Sequence, residues 1–292
     1  MKKVLYIISA LIILGGIGLL GYPSFANYIN QTFANKEISA YDDTIEKKSE
    51  EEINRLIELA NRYNSLLPGS YPADPFSGEN ITNFKGTDFE TFFMVQEDEI
   101  LGYVEAPGIN VYLPIYYGTS EIVLDKGAGL VKNTSLPVGG PGTHAVVSAH
   151  TGMASRKLFT DLPEMKEGDI FFIHVLNRHL AYKVNQIKVV LPEESDDLLI
   201  EMGKDYVTLL TCTPFGVNDH RLLVRGERIE DFDFEKYYAE NNTAGENFAK
   251  ERNNILWLVV LTVLMIIIEI IIIKKIRNKL RNRDKEREGG AK

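Results

Sequence analysis

The middle of this sequence predicts a mainly β fold, a closed barrel or a sandwich, and its two ends predict apolar helices. Three observations carry that expectation. Over residues 101–229 the apolar side chains come in short aliphatic or alternating runs of strand length. Turns such as Pro107-Gly108, Val138-Gly139-Gly140-Pro141-Gly142 and Glu167-Gly168-Asp169 separate those runs, with no long helix between them. Residues 4–20 and 255–273, by contrast, are nearly unbroken apolar stretches.

The first apolar run has Ser9 as its only hydroxyl, and the second is interrupted only by Thr262 and Glu269. As helices they would measure about 26 and 28 Å, close to a hydrocarbon core of about 30 Å. The first reads as a membrane anchor or as a signal segment, with Lys2 and Lys3 as its charged start and Ser24-Phe25-Ala26 as a small-x-small site. The second reads as a span because a dense basic tail, from Lys274 and Lys275 to Arg287, follows it. Basic residues outside both runs place both termini in the cytoplasm, if the first run is uncleaved, and residues 22–252 outside.

The 292 residues hold 32 Lys+Arg and 41 Asp+Glu. Two of the basic residues precede residue 22 and 9 follow residue 252, leaving 21; 4 acidic residues follow residue 252, leaving 37. The exported part is therefore near −16, which argues against nucleic acid as a partner and leaves the lipid bilayer to the apolar ends.

Between the ends, residues 46–67 predict an amphipathic helix with Ile53, Leu56, Ile57, Ala60 and Tyr63 on one face. Residues 67–78 follow with three prolines and two glycines, a loop of restricted backbone freedom. Strands are expected at 100–105, 111–116, 144–149, 169–175, 180–191, 206–210 and 221–228, with short helical inserts at 156–165 and 193–202. The expected organisation is an anchor or signal segment over 1–21, a helical region over 22–67 and a loop over 68–90. A β domain over 91–230, a juxtamembrane stalk over 231–252, a membrane helix over 253–273 and a basic tail over 274–292 complete it.

Cys212 is the only cysteine, so an internal disulfide is impossible. It ends a β-branched and aliphatic run, Tyr206-Val207-Thr208-Leu209-Leu210-Thr211-Cys212, and Arg221 opens another run nine residues on. Pro214, Gly216, Asn218 and Asp219 make the turn between, so an antiparallel pair would bring Cys212 and Arg221 to one end of a sheet. His150 ends a third run, His144-Ala145-Val146-Val147-Ser148-Ala149-His150. A thiolate that attacks a carbonyl, an imidazole that moves protons and a guanidinium that stabilises an oxyanion are what acyl transfer requires.

The other histidines and Arg225 weigh less. His220 alternates away from Arg221, and His174 and His179 flank an expected hairpin and are expected in solvent. Arg225 alternates onto the face of Arg221 and is the second candidate cation. A lone cysteine cannot build a thiolate zinc site, and no His pair has metal-ligand spacing with a carboxylate, so neither metal nor cofactor is expected.

Thr208-Leu209-Leu210-Thr211-Cys212, an arginine nine residues later and Ser148-Ala149-His150-Thr151-Gly152 upstream resemble the signature of the sortase family. That resemblance implies a closed β-barrel of about eight strands with short helices. It implies a cysteine transpeptidase of Gram-positive bacteria that cleaves an LPXTG-like sorting signal (Leu-Pro-x-Thr-Gly) between Thr and Gly and passes the acyl group to an amine. By the same resemblance Cys212 is the nucleophile, His150 the general acid/base and Arg221 the oxyanion or positioning group.

Asp74-Pro75-Phe76 is similar to the lid tripeptide of the pilus-assembling class C, in which the aspartate meets the arginine and the ring covers the cysteine. The C-terminal apolar run resembles that class as well. The implied partners are pilin or surface-protein substrates and an acceptor amine, either a pilin lysine or the cell-wall peptide. A housekeeping-type sortase that attaches proteins to the cell wall, a cysteine hydrolase and a non-catalytic membrane scaffold are the competing readings.

Overall fold

The short β runs make eight strands, the number the resemblance implies. In the structure, a computed structural model, eight strands close into one barrel. It describes residues 2–70, 72, 74–77, 100–241 and, near the C-terminus, 253, 256–257, 259–275 and 277–278. The strands are β1 (Ile100–Ala106), β2 (Val111–Tyr117), β3 (Ala128–Leu130) and β4 (Thr143–Ser148), followed by β5 (Ile170–Val175), β6 (Arg178–Val190), β7 (Asp205–Thr213) and β8 (His220–Ile229). Their order around the barrel is β1-β2-β3-β4-β7-β8-β6-β5, and β5 closes on β1.

β3 is the strand that sequence reading lacks. Three residues are too few to show alternation, and its glycine is forced by a close approach rather than by strand propensity. A Cβ on Gly129 would lie 2.2 Å from the Gly118 carbonyl oxygen and 3.1–3.2 Å from the side chains of Val123 and Leu124. Those side chains belong to a one-turn helix, α3 (Glu121–Lys126), whose first turn is capped by Ser120. The inserts expected as short helices are instead single 3-10 turns, Leu162–Glu164 and Asp196–Leu198.

Two helices stand before the barrel, α1 (Lys2–Glu46) and α2 (Glu50–Ser65). The chain leaves the helix at Lys47 and Lys48, and Ser49 starts the next with a reciprocal capping box: its hydroxyl accepts from Glu52 N–H while the Glu52 carboxylate accepts from Ser49 N–H. The expected face of α2 is the buried one, with Ile53, Leu56, Ile57, Ala60 and Tyr63 all covered. Asn64 fixes its end, donating to the Leu136 carbonyl at 3.1 Å and accepting from Leu136 N–H at 2.7 Å. Ala34, Ile38, Tyr41 and Ile45 make a similar buried stripe along the C-terminal half of α1. Tyr41 donates to the Leu101 carbonyl and accepts from Leu176 N–H, which ties α1 to β1 and to the β5–β6 turn.

The segment expected as a stalk begins with α4 (Phe234–Glu240), which sits on the barrel. Phe172 of β5 meets the rings of Phe232, Phe234, Tyr237 and Tyr238 at 5.1–5.7 Å. Sequence polarity hid this because each ring is carried among charged residues.

Residues 29–247 make one compact unit, and residues 1–28 with 248–292 make another. The second contains both apolar runs. Its backbone is helical over 2–28 and 259–275, and among the described residues no helix is long and apolar enough to cross a membrane. Many side chains of the first run, residues 78–99 of the expected loop and barrel start, residues 242–252 of the stalk and most of the basic tail lie outside the described residues.

Candidate active site

The site is assembled by strand register. β7 and β8 run antiparallel with Cys212 directly opposite Arg221. β4 runs parallel to β7 with Ser148 beside Leu210. Two bonds carry that register past the end of β4: Ala149 N–H donates to the Leu210 carbonyl at 3.2 Å, and the Thr211 hydroxyl donates to the Ala149 carbonyl at 2.8 Å. His150 is thereby set beside Cys212.

Alternation decides which way these side chains face. Ala145, Val147, Ala149, Leu209, Leu222 and Val224 pack in the barrel core. Val146, Ser148, His150, Leu210, Cys212, Arg221 and Leu223 therefore share the outer surface. There a second apolar cluster of Val131, Val146, Leu198, Leu210 and Leu223 forms a floor, and Phe76 and Val190 pack on it.

Phe76 arrives on a tight turn. Asp74-Pro75-Phe76-Ser77 closes with Ser77 N–H on the Asp74 carbonyl at 3.1 Å, and Pro75 supplies the φ its second position needs. The Asp74 carboxylate then meets the Arg221 guanidinium side-on, accepting from Nε at 2.7 Å and from Nη2 at 2.9 Å. Arg221 Nη1 donates to the Asn218 and His220 carbonyls at 3.1 and 3.0 Å, so the β7–β8 loop fixes the plane of the fork. The Phe76 ring centre lies 5.1 Å from Arg221 Cζ and 5.5 Å from the His150 ring.

This cover sets the electrostatics. Burial pushes the Cys212 thiol up, the Arg221 charge opposes that, and the Asp74 charge adds to it. Burial pulls His150 down, opposed by Asp125 and Glu121 of α3. Both groups are thus biased towards their neutral forms while the 74–77 turn is in place. Removing that turn would take away the Asp74 charge that raises the thiol and leave two guanidinium N–H donors free, an arrangement suited to acyl transfer.

The remaining candidates stand elsewhere. Arg225 shares the outer face of β8, but it donates to Asn185 at 3.1 Å and to Glu201 at 3.4 Å and lies 4.3 Å over the Tyr206 ring. His220 is held by the adjacent Asp219 at 2.8 Å. His144 is fully buried between the Leu199 carbonyl and the Thr208 hydroxyl.

His174 corrects the expectation of solvent exposure: it is buried, 4.4 Å from the Tyr103 ring in a stack and 3.2 Å from the Glu105 carboxylate. His179, across the hairpin, is exposed as expected and meets His174 through their Nδ1 atoms at 2.6 Å. The hairpin reading failed at His174 because α1 and α4 cover β5, a long-range fact with no local signal. Glu121 and Asp125 were missed with α3 itself; the Ser120 cap before two acidic positions was the available cue.

Comparison with known proteins bears on the barrel as a whole. The family description "Sortase domain" matches residues 104–229. Among curated relatives, sortase A of Bacillus anthracis is 27% identical over 135 residues, 46% of this chain and 62% of the relative. Sortase A of Streptococcus agalactiae is 29% identical over 164 residues, 53% of this chain and 62% of the relative. The match therefore spans less than two thirds of these relatives' length.

Solved structures align more fully. Sortase C of Streptococcus pneumoniae is 44% identical with a TM-score of 0.62, covering 66% of this chain and 96% of the other. Sortase C of Clostridium perfringens, solved with its C-terminal cell wall sorting motif, is 50% identical with a TM-score of 0.57, covering 68% and 100%. With the barrel closed in this order and the thiol, imidazole and guanidinium gathered at its strand ends, the chain belongs to the sortase family.

Proposed function

We propose that the chain is a cysteine transpeptidase of the pilus-assembling kind, working on the outer face of the cell membrane. The observation that carries it is Cys212 set directly opposite Arg221 and beside His150 on one outer surface. His150 takes the Cys212 thiol proton, the thiolate attacks the Thr carbonyl carbon of an LPXTG-like sorting signal, and the oxyanion takes the two N–H donors that Asp74 now holds. The Thr–Gly C–N bond breaks as His150 gives a proton to the leaving amine. An incoming amine then attacks the thioester, the C–S bond breaks, and His150 takes the amine's proton.

The similarity to sortase C structures at 44–50% identity supports a pilin lysine as that amine. The 74–77 turn reads as an inhibitory lid, because its two side chains occupy the fork and the ring space a substrate needs.

The apolar runs read as membrane segments. Leu256, Trp257, Val259, Leu261 and Ile271 are more than half exposed, a surface that water alone does not favour. The basic residues at both ends support a reading with the barrel outside and, if the first run is uncleaved, both termini inside. Incubation with an LPXTG peptide, with and without a pilin domain bearing a surface lysine, tests the reaction. An amide-linked peptide–pilin product supports it; hydrolysis unaffected by any amine overturns it. Protease applied to wall-less cells should degrade the Cys212 region and spare the tail after Lys274; the reverse pattern would overturn the orientation.

A further inference from the structure

His150 stands at the neck of a loop. β4 ends at Ser148, and the next 3-10 turn begins at Leu162. Between them the chain leaves the sheet and returns to the place it left. Phe159 N–H donates to the His150 carbonyl at 3.1 Å, and Gly152 N–H donates to the Thr160 hydroxyl oxygen at 3.0 Å. These two bonds close the neck and leave residues 153–158 as an arc beyond it.

The arc is not held by its own backbone preference. Leu158, directly before Phe159, has φ 43°, a left-handed value that an aliphatic residue disfavours. Such a conformation persists where the surrounding structure imposes it. Leu158 and Phe159 are both buried, which pins the returning side of the arc. On the outgoing side the support comes from α1: Asn30 Nδ2 donates to the Ser155 carbonyl at 2.8 Å.

Asn30 lies four residues before Ala34, on the helical face that continues through Ile38, Tyr41 and Ile45. From Ala34 onwards that face is a buried stripe. At Asn30 the half-buried position carries an amide donor instead, and its acceptor is a backbone carbonyl of the arc.

We propose that Asn30 is a positioning residue for catalysis: its bond to Ser155 braces the arc, and the neck of the arc holds the His150 backbone while the imidazole moves protons. This rests on the transpeptidase reading above. It gives α1 a part in the reaction beyond its packing on the barrel. It also makes a demand that packing alone does not. Burial keeps the His150 imidazole below its ordinary pKa. A slack neck lets the ring reach water, so loss of the brace must move the His150 titration upward.

The test uses the full chain in detergent micelles, with isotope-labelled histidine and the His150 signal assigned by its absence in His150→Ala. In Asn30→Ala, kcat with an LPXTG peptide should fall about 3- to 10-fold, the range of one modest hydrogen bond. KM should stay within about twofold, because Arg221 and the floor of the site are untouched. The NMR titration of His150 should move upward. Asn30→Asp keeps the shape, loses the donor and sets an anion against the carbonyl, so it should be at least as damaging.

Gln31→Ala is the control. Gln31 donates to the Tyr112 carbonyl of β2 at 2.9 Å, so this change loosens α1 without touching the arc and should leave the His150 titration in place. A kcat within about twofold of wild type in both Asn30 variants, an unmoved His150 titration, or an equal movement in Gln31→Ala would each overturn the assignment. If wild type itself fails to process the peptide, the transpeptidase reading falls and this inference falls with it. If wild type works and Asn30→Ala does not differ from it, this inference alone is wrong.

Discussion

Two places on the barrel surface gather a histidine, a carboxylate and aromatic rings, and they differ in what covers them. At one, β1 and β5 bring together Glu105, His174 and Tyr103, and Tyr238 of α4 donates to Glu105 at 2.6 Å. Its cover is α4, held by four rings around Phe172, and the side of α1 that carries Tyr41. At the other, β4, β7 and β8 bring together His150, Cys212 and Arg221, and the cover is one turn attached through Asp74 and Phe76. The chemistry of the side chains alone does not separate a site from a structural cluster. A nucleophile does, together with a cover held by two side chains only.

That contrast predicts large kinetic effects at one place and stability effects at the other. Cys212→Ala should lower both cleavage and ligation by at least about a thousandfold, with His150→Ala nearly as severe, measured on purified protein with an LPXTG peptide. Arg221→Lys should cost about 10²- to 10³-fold, since an ammonium cannot reproduce two parallel donors. Circular dichroism of these variants should match wild type. A loss of fold in them would dissolve the distinction between the two places.

His144, on the same strand as His150, sharpens the contrast through pH. It is 0% exposed, and burial holds its pKa down to about 4. Nδ1 donates to the Leu199 carbonyl, so the neutral ring accepts from Thr208 at Nε2. Its folded pKa lies below an unfolded value near 6.5, so protonation favours the unfolded chain. Stability from this group is fully present above about pH 6.5 and is lost as pH falls towards 4, about 3 kcal/mol in all. Urea unfolding at pH 7 and pH 5 should show that slope in wild type and a smaller one in His144→Gln.

Glu105→Ala should cost about 2–3 kcal/mol of stability, because it leaves His174 and Tyr238 without a buried partner, yet leave kcat/KM of the folded protein unchanged. A change in kcat/KM without a stability loss would make the Glu105 cluster a second functional site.

How much of this was legible beforehand follows the range of the interactions. Cys212 and Arg221 could be placed together from sequence because a short turn joins their strand ends, whereas His150, on a parallel neighbour far upstream, was brought in by the strand-end pattern and the family resemblance. The face of α2 could be placed too, where five apolar residues recur at helical spacing. β3 and α3 were not legible, because three residues carry no period and Gly129 is set by Gly118 across the fold. His174 was misplaced because its cover comes from residues around 41 and 238, far along the chain.

The lid carries the smallest expected effect. If the turn is the proposed lid, a side-on ion pair and one ring contact of about 1–2.5 kcal/mol would keep it closed most of the time yet let it open unaided. Asp74→Ala with Phe76→Ala should speed modification of Cys212 by a small thiol reagent several-fold. It should also move the midpoint of that rate against pH downwards, because burial and the Asp74 charge both raise the thiol and only Arg221 lowers it. A rate and midpoint equal to wild type would mean that the turn does not gate the site.

The central claim is that Cys212, His150 and Arg221 act as one acyl-transfer unit, and mass spectrometry of the trapped intermediate tests it most directly. Protein mixed with an LPXTG peptide and quenched in acid should carry the peptide's acyl portion through Thr on Cys212, with the Gly-containing fragment released. The adduct should disappear in His150→Ala and Arg221→Lys. An adduct on another residue, or one that forms equally without His150 and Arg221, would contradict the account.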